Sequence, residues 1–124
     1  MDKKKVLVID DDPKMLRAIK AMLDEKYEVS LATSGEQGVG FISKKMPDLI
    51  LLDYEMPGWD GATTLKEIRS VKGYENIPVV FSSGRDDDGF LEELAAFHPG
   101  GFVKKPPNVQ SLLQIIEAAL VSSN

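Results

Sequence analysis

The sequence predicts an α/β domain built on an open, doubly wound parallel sheet. Short apolar runs recur along the chain, and between them lie segments whose apolar residues repeat with helical spacing. Strands that alternate with helices of this length pair in parallel. The uninterrupted run LILL at 49–52 is typical of a strand covered by helices on both faces. Five such units are too few to close a barrel of eight strands.

The five strands are predicted from the apolar runs themselves. Each run is short and is separated from the next by one amphipathic segment. The runs are VLVI (6–9), YEVSLA (27–32), LILL (49–52), PVVF (78–81) and GFV (101–103).

The first helix is predicted over 13–26, with Asp12 as its N-cap and Pro13 at its first position. Its apolar side chains form one stripe along the helix, which indicates a buried face. They are Met15, Leu16, Ile19, Met22 and Leu23. The same period predicts further helices over 34–45, 61–72, 86–97 and 108–121.

Composition narrows the class of protein. With 124 residues, of which 43% are hydrophobic, the chain matches one domain with a single core. Its net charge of −5 argues against direct nucleic-acid binding, which needs a basic face. It has no cysteine, no signal-peptide core and no apolar run of membrane-spanning length, so we expect a cytoplasmic protein with no membrane contact.

Polar side chains follow four of the five predicted strands. In an open parallel sheet, ligands bind beyond the carboxyl ends of the strands. No glycine fingerprint of a dinucleotide site follows the first strand, and the residues that do follow the strands are acidic, hydroxyl and basic. They are Asp10 and Asp11, then Asp53, then Ser82 and Ser83, then Lys104 and Lys105.

This set of side chains suits metal-assisted phosphoryl chemistry. Because Asp12 is explained as a helix cap, Asp10, Asp11 and Asp53 remain as oxygen ligands for Mg²⁺ or Mn²⁺. A lysine and a hydroxyl nearby can bind phosphoryl oxygens. Asp53 stands alone at its strand end and is the candidate nucleophile, since a carboxylate can form an acyl phosphate. The residue pattern leaves open which serine and which lysine take part.

Four longer motifs lie at the strand ends, in the order VLVIDDDP (6–13), PDLILLDYEMPGWDG (47–61), IPVVFSSG (77–84) and GGFVKKPP (100–107). In this order and spacing they resemble a response-regulator receiver domain of two-component signalling, of the CheY-like type. The resemblance covers essentially the whole chain and implies one receiver domain over 1–124, with no effector domain, and a flavodoxin-like sheet with strand order 2-1-3-4-5.

The resemblance also implies a role for each site residue. Counting forward from Pro78 and back from Pro106 favours Ser83 over Ser82 and Lys105 over Lys104, and the Lys105–Pro106 peptide is expected to be cis. The implied roles are Asp53 as phosphoacceptor, Asp10, Asp11, Asp53 and the Glu55 backbone carbonyl as metal ligands, Lys105 as phosphoryl-binding lysine, and Ser83 and Phe102 as switch residues.

Three further positions are expected to modulate the switch. Gly84 stands where the family commonly has alanine, and glycine loosens the loop that must move. Glu55 and Arg85 lie two residues after the acceptor and after the switch hydroxyl. Their opposite charges could pair across the mouth of the site and slow the approach of water, or both side chains could extend into solvent; the sequence leaves both open.

The implied function is a signalling switch and not a turnover enzyme. It would take a phosphoryl group from a histidine kinase or a phosphotransfer protein and act on a partner through the face of the fourth helix, fifth strand and fifth helix. Because the fifth helix carries one charge, Glu117, we expect a monomer or a weak dimer.

Two alternatives use the same fold. One is a pseudo-receiver that binds partners without being phosphorylated. The other is a phosphohydrolase working through an aspartyl intermediate, which the absence of a DxD motif and of an inserted cap domain makes unfavourable.

Overall fold

The computed structural model describes residues 3–122, and in them five strands alternate with five helices. The strands are β1 (Lys5–Ile9), β2 (Glu28–Ala32), β3 (Leu49–Asp53), β4 (Val79–Ser83) and β5 (Gly101–Lys104). The helices are α1 (Pro13–Leu23), α2 (Gly35–Lys45), α3 (Gly61–Arg69), α4 (Asp88–Ala95) and α5 (Val109–Ser122).

All strand pairs are parallel, and the sheet order is β2-β1-β3-β4-β5. This confirms the predicted doubly wound fold and its strand order. The chain leaves β1 for one edge of the sheet and returns to place β3 on the other side of β1. The carboxyl ends of β1 and β3 are therefore neighbours, at the point where strand order reverses.

Two hydrophobic layers cover the sheet, one on each face. Successive residues of a strand point to opposite faces, so Leu7 and Ile9 enter one layer while Val6 and Val8 enter the other. Every residue of β3 and β4 is buried. Burial on both faces explains why these strands read as continuous apolar runs.

Some element boundaries differ from those predicted. Strand β4 continues through Ser83 because its last residues still pair, Ser82 with Asp53 and Ser83 with Lys104. Helix α4 begins later than predicted, because the Asp87 side chain accepts the Phe90 N–H as an N-cap. Helix α3 ends at Arg69, three residues before the predicted end.

Within residues 3–122, none of the helices has the length and apolar character needed to cross a bilayer.

Gly61 is required for close packing next to the candidate site. A Cβ at this position would lie 2.7 Å from the Cα of Tyr54, the residue after Asp53. The Gly61 N–H also donates to the Tyr54 carbonyl at 2.8 Å. A side chain at Gly61 would therefore displace backbone that holds the end of β3.

We expect Gly61→Ala to lower the free energy of unfolding by about 1–3 kcal/mol, the usual cost of overpacking. The matched control is Gly40→Ala in α2, where a Cβ meets no atom within 4 Å. That change is expected to raise stability by about 0.5–1 kcal/mol, because alanine replaces glycine inside a helix. Urea unfolding followed by circular dichroism measures both, and equal stability of the two variants would contradict the packing argument.

Candidate functional site

Three carboxylates meet at the carboxyl ends of β1 and β3. Asp10, Asp11 and Asp53 each place an oxygen within 4.8 Å of the others. Asp10 and Asp53 are 1% and 2% exposed, whereas Asp11 is open to solvent. The predicted acidic cluster therefore forms, with two members taken out of water.

The third aspartate of the DDD run has a different position. Asp12 caps α1, since its side chain accepts the Lys14 N–H at 2.9 Å. Its own N–H donates to Asp10 Oδ1 at 2.9 Å, which fixes the orientation of the Asp10 carboxylate. The prediction that Asp12 serves as an N-cap is confirmed.

Lys105 reaches into the cluster, and Lys104 does not. The Nζ of Lys105 lies 3.1 Å from Asp10 Oδ2 and 3.2 Å from Asp53 Oδ2. Lys104 is directed outward, with its Nζ 3.9 Å from Asp86 Oδ2. The Lys105–Pro106 peptide is cis, which confirms that prediction. The geometry thus brings Lys105, and not its neighbour, to the acids.

Burial and neighbouring charges shift the pKa values of Asp53 and Lys105 within the cluster. Burial raises the pKa of Asp53 from 3.8 to about 7, and the charge of Asp10 acts in the same direction, while Lys105 and the Glu55 N–H oppose them. Burial alone would lower the pKa of Lys105, but its hydrogen bonds and charge interactions with Asp10 and Asp53 outweigh that effect and raise it above 10.5. The site holds more negative charge than one lysine neutralises, which favours a bound cation.

Ser83 lies at the end of β4 and is fully buried. Its Oγ donates to Glu55 Oε1 at 2.6 Å and accepts the Arg85 N–H at 3.0 Å. Ser82 is also buried, and its backbone carbonyl accepts the Tyr54 N–H at 2.9 Å. Both serines border the site, but Ser83 is hydrogen-bonded to the residue two positions after Asp53.

In the described part of the chain, Glu55 and Arg85 do not form the ion pair that their sequence positions allowed. Within residues 3–122 no ion pair joins them, because each has another partner: Glu55 accepts from Ser83, and Arg85 lies 3.3 Å from Asp87 Oδ1. The Arg85 guanidinium also stacks on the Phe90 ring, 4.5 Å from its centroid. A gate formed by these two charges is not present.

Phe102 belongs to an aromatic group that connects β5 with the site. Its ring centroid is 6.2 Å from that of Phe90, which lies 5.3 Å from Tyr54, and both pairs meet edge to face. Sequence reasoning missed Phe90, whose only signal was its place on the apolar stripe of α4. At Gly84 a Cβ would meet no atom within 4 Å, so the alanine common in the resembling family would fit there.

A doubly wound sheet with a lysine-bridged aspartate cluster at its reversal point is the architecture that the sequence motifs predicted. The profile described as response regulator receiver domain matches residues 6–117. The chain belongs to this family, whose members are signalling switches of two-component systems that bind Mg²⁺ at an acidic pocket and accept phosphate from histidine kinases.

Curated relatives and solved structures agree with this assignment. The chain is 36% identical over 122 residues to a protein-glutamate methylesterase/protein-glutamine glutaminase of Trichodesmium erythraeum, covering 94% of this chain and 34% of that protein. It is 37% identical over 103 residues to response regulator PleD of Caulobacter vibrioides, covering 82% and 23%. The chain thus spans about a third or less of these two relatives.

Solved structures show the same fold over nearly the full chain. Vibrio cholerae chemotaxis protein CheY4 superposes with a TM-score of 0.88 at 26% identity, covering 94% of this chain and 98% of that one. The receiver domain of the Francisella response regulator 1452 gives a TM-score of 0.86 at 28% identity, covering 98% and 100%.

Proposed function

We propose that this receiver domain is a phosphoacceptor switch that carries the phosphoryl group on Asp53. The observation that supports this most directly is the surrounding of the Asp53 carboxylate. It is almost fully buried, it has the Lys105 ammonium 3.2 Å away, and two further carboxylates share its space. An aspartate with a purely structural role would not require a neighbouring ammonium group and two further carboxylates.

The donor set fits a hard divalent cation. The carboxylates of Asp10, Asp11 and Asp53, with the backbone carbonyl of Glu55, would hold Mg²⁺ or Mn²⁺, which prefer oxygen ligands. When bound, the cation supplies positive charge to the acids and to the oxygens of an incoming phosphoryl group.

The residues of the chain account for the transfer itself. An Asp53 oxygen attacks phosphorus of a phosphohistidine on the donor, a P–O bond forms, and the P–N bond breaks with its electron pair returning to the imidazole. Lys105 Nζ, already between Asp10 and Asp53, binds a phosphoryl oxygen and offsets its charge. The Ser83 hydroxyl donates to another phosphoryl oxygen.

The output is a change of conformation, passed to a partner through α4, β5 and α5. Phe102 on β5 and Phe90 on α4 touch one another, and Phe90 reaches Tyr54 beside the acceptor. Arg85 links Ser83 to this group, since its N–H donates to Ser83 Oγ and its guanidinium stacks on Phe90, so movement of Ser83 toward the phosphoryl group would shift residues that border this face. The phosphoryl donor is a histidine kinase or a phosphotransfer protein.

Incubation with Mg²⁺ and acetyl phosphate tests the proposal. Intact mass spectrometry should show the gain of one phosphoryl group, with peptide mapping assigning it to Asp53, and Mg²⁺ alone should change the fluorescence of Trp59 in the loop after β3. No gain of mass would support the pseudo-receiver alternative. Continuous release of phosphate from small phosphoesters would support the phosphohydrolase.

We also expect the activated chain to be a monomer or a weak dimer. The single charge of α5, Glu117, is already paired within the chain, 3.0 Å from Lys26 Nζ. It is therefore engaged and adds little to any charged pairing between copies. Light scattering of the beryllofluoride form measures this, and a tight dimer that dissociates in moderate salt would contradict it.

A further inference from the structure

The Ser83 hydroxyl is already hydrogen-bonded in this structure, to partners that have no part in the proposed phosphoryl transfer. A hydroxyl has one proton to donate. In this structure that proton goes to Glu55 Oε1, at an O···O distance of 2.6 Å, and the Arg85 N–H occupies an acceptor position of the same oxygen. The switch hydroxyl is therefore already engaged before any phosphoryl group arrives.

We propose that the Glu55 carboxylate is an internal competitor for the switch hydroxyl. It holds Ser83 in its unphosphorylated arrangement and must release it before the hydroxyl can turn to a phosphoryl oxygen. This inference rests on the proposed function, because it needs a phosphoryl group on Asp53 as the second acceptor. No proton is transferred: the hydroxyl keeps its proton and exchanges one anionic acceptor for another.

The geometry makes this competition effective. The bond is short and its acceptor is a carboxylate, both of which strengthen a hydrogen bond, and its donor is fully buried although Glu55 itself is exposed. Glu55 is also tied to the acceptor through its backbone, since its N–H donates to Asp53 Oδ1 at 3.3 Å. The competing carboxylate thus stays next to the site whether or not it holds Ser83.

The Glu55 side chain lies beside a groove that it can enter when it releases Ser83. Glu55 lines a groove of about 500 Å³ together with Tyr54, Asp60, Arg85 and Glu93. A phosphoryl group on Asp53 repels the Glu55 carboxylate toward this groove. Because Glu55 is an exposed residue of the loop after β3, its side chain can release Ser83 without rearrangement of β3 or β4.

Beryllofluoride binding in the presence of Mg²⁺, measured by Trp59 fluorescence, tests the competition. Removing a charge-assisted hydrogen bond that holds the unphosphorylated arrangement should tighten beryllofluoride binding about tenfold in Glu55→Ala. Glu55→Gln keeps an acceptor oxygen without the charge and should fall between Glu55→Ala and the unaltered chain. The control, Glu93→Ala, removes an equal charge from the same groove and should stay within about twofold of the unaltered chain.

A double-mutant cycle separates competition from simple charge repulsion. In a Ser83→Ala background the gain from Glu55→Ala should disappear, because no hydroxyl remains to be released. A gain that persists there, or that Glu93→Ala reproduces, overturns the proposal, as does unchanged affinity in Glu55→Ala. If the unaltered chain itself binds no beryllofluoride, the proposed function fails and this inference fails with it.

Discussion

Asp53→Asn is expected to abolish phosphorylation by acetyl phosphate and by phosphohistidine donors. The amide of asparagine has nearly the same size as the carboxylate but is not a nucleophile that forms an acyl phosphate. The fold should remain intact, because the change removes one negative charge from a cluster that Lys105 only partly neutralises.

Intact mass spectrometry after incubation with the donor measures this loss. The matched control is Asp86→Asn, which removes a carboxylate from an exposed position of the β4–α4 loop and should leave phosphorylation unchanged. Phosphorylation of the Asp53→Asn variant with the yield of the unaltered chain would show that the nucleophile is misassigned.

Asp53→Asn is also expected to stabilise the chain in the absence of divalent cations, by an amount that depends on pH. Folding raises the pKa of Asp53 from 3.8 to about 7, so between these values the native state binds a proton that the unfolded state does not. The stability of the unaltered chain therefore falls as pH rises from about 4 to 7, and it stays lowered above pH 7. Asparagine resembles the protonated carboxyl and avoids this loss.

The expected difference follows from the size of the shift. At about 1.4 kcal/mol for each pKa unit, the variant should be about 4 kcal/mol more stable at pH 8 and nearly equal to the unaltered chain at pH 4. Lys105 stays protonated throughout, because its pKa is raised. Thermal unfolding in EDTA measures the difference, and Mg²⁺ should reduce it by stabilising only the carboxylate form. A difference independent of pH would show that Asp53 titrates normally.

Most of the fold was predictable from the chain, because its signals are local and mutually consistent. The buried run of β3 and the Asp12–Pro13 start of α1 each follow from residue type and period. The separation of Asp12 from the two site aspartates was also predictable, because an N-cap has a defined position before a helix. The end of α3 and the start of α4 were not predictable in this way, because they depend on which polar residue caps each helix.

The proximity of the acidic side chains and Lys105 was predictable, but the partners of the exposed charges were not. Parallel strands deliver Asp10 and Asp53 to one edge, so their proximity follows from topology. Arg85 had several carboxylates within reach, and exposed ion pairs differ from one another by less than about 1 kcal/mol. The choice of Asp87, with Phe90 beneath the guanidinium, depends on the packed position of α4.

The uneven burial of the sheet has a consequence for the order in which its parts open. Strands β3 and β4 are buried throughout, whereas β5 has one buried residue, Val103, and α4 has two, Phe90 and Leu94. Amide hydrogens of β3 are thus expected to exchange with solvent only when the whole domain unfolds, and those of β5 and α4 through smaller local openings. Under the proposed function, phosphorylation of Asp53 can then change the populations of the conformers of α4 and β5 while the hydrogen bonds of β3, which carries Asp53, remain intact.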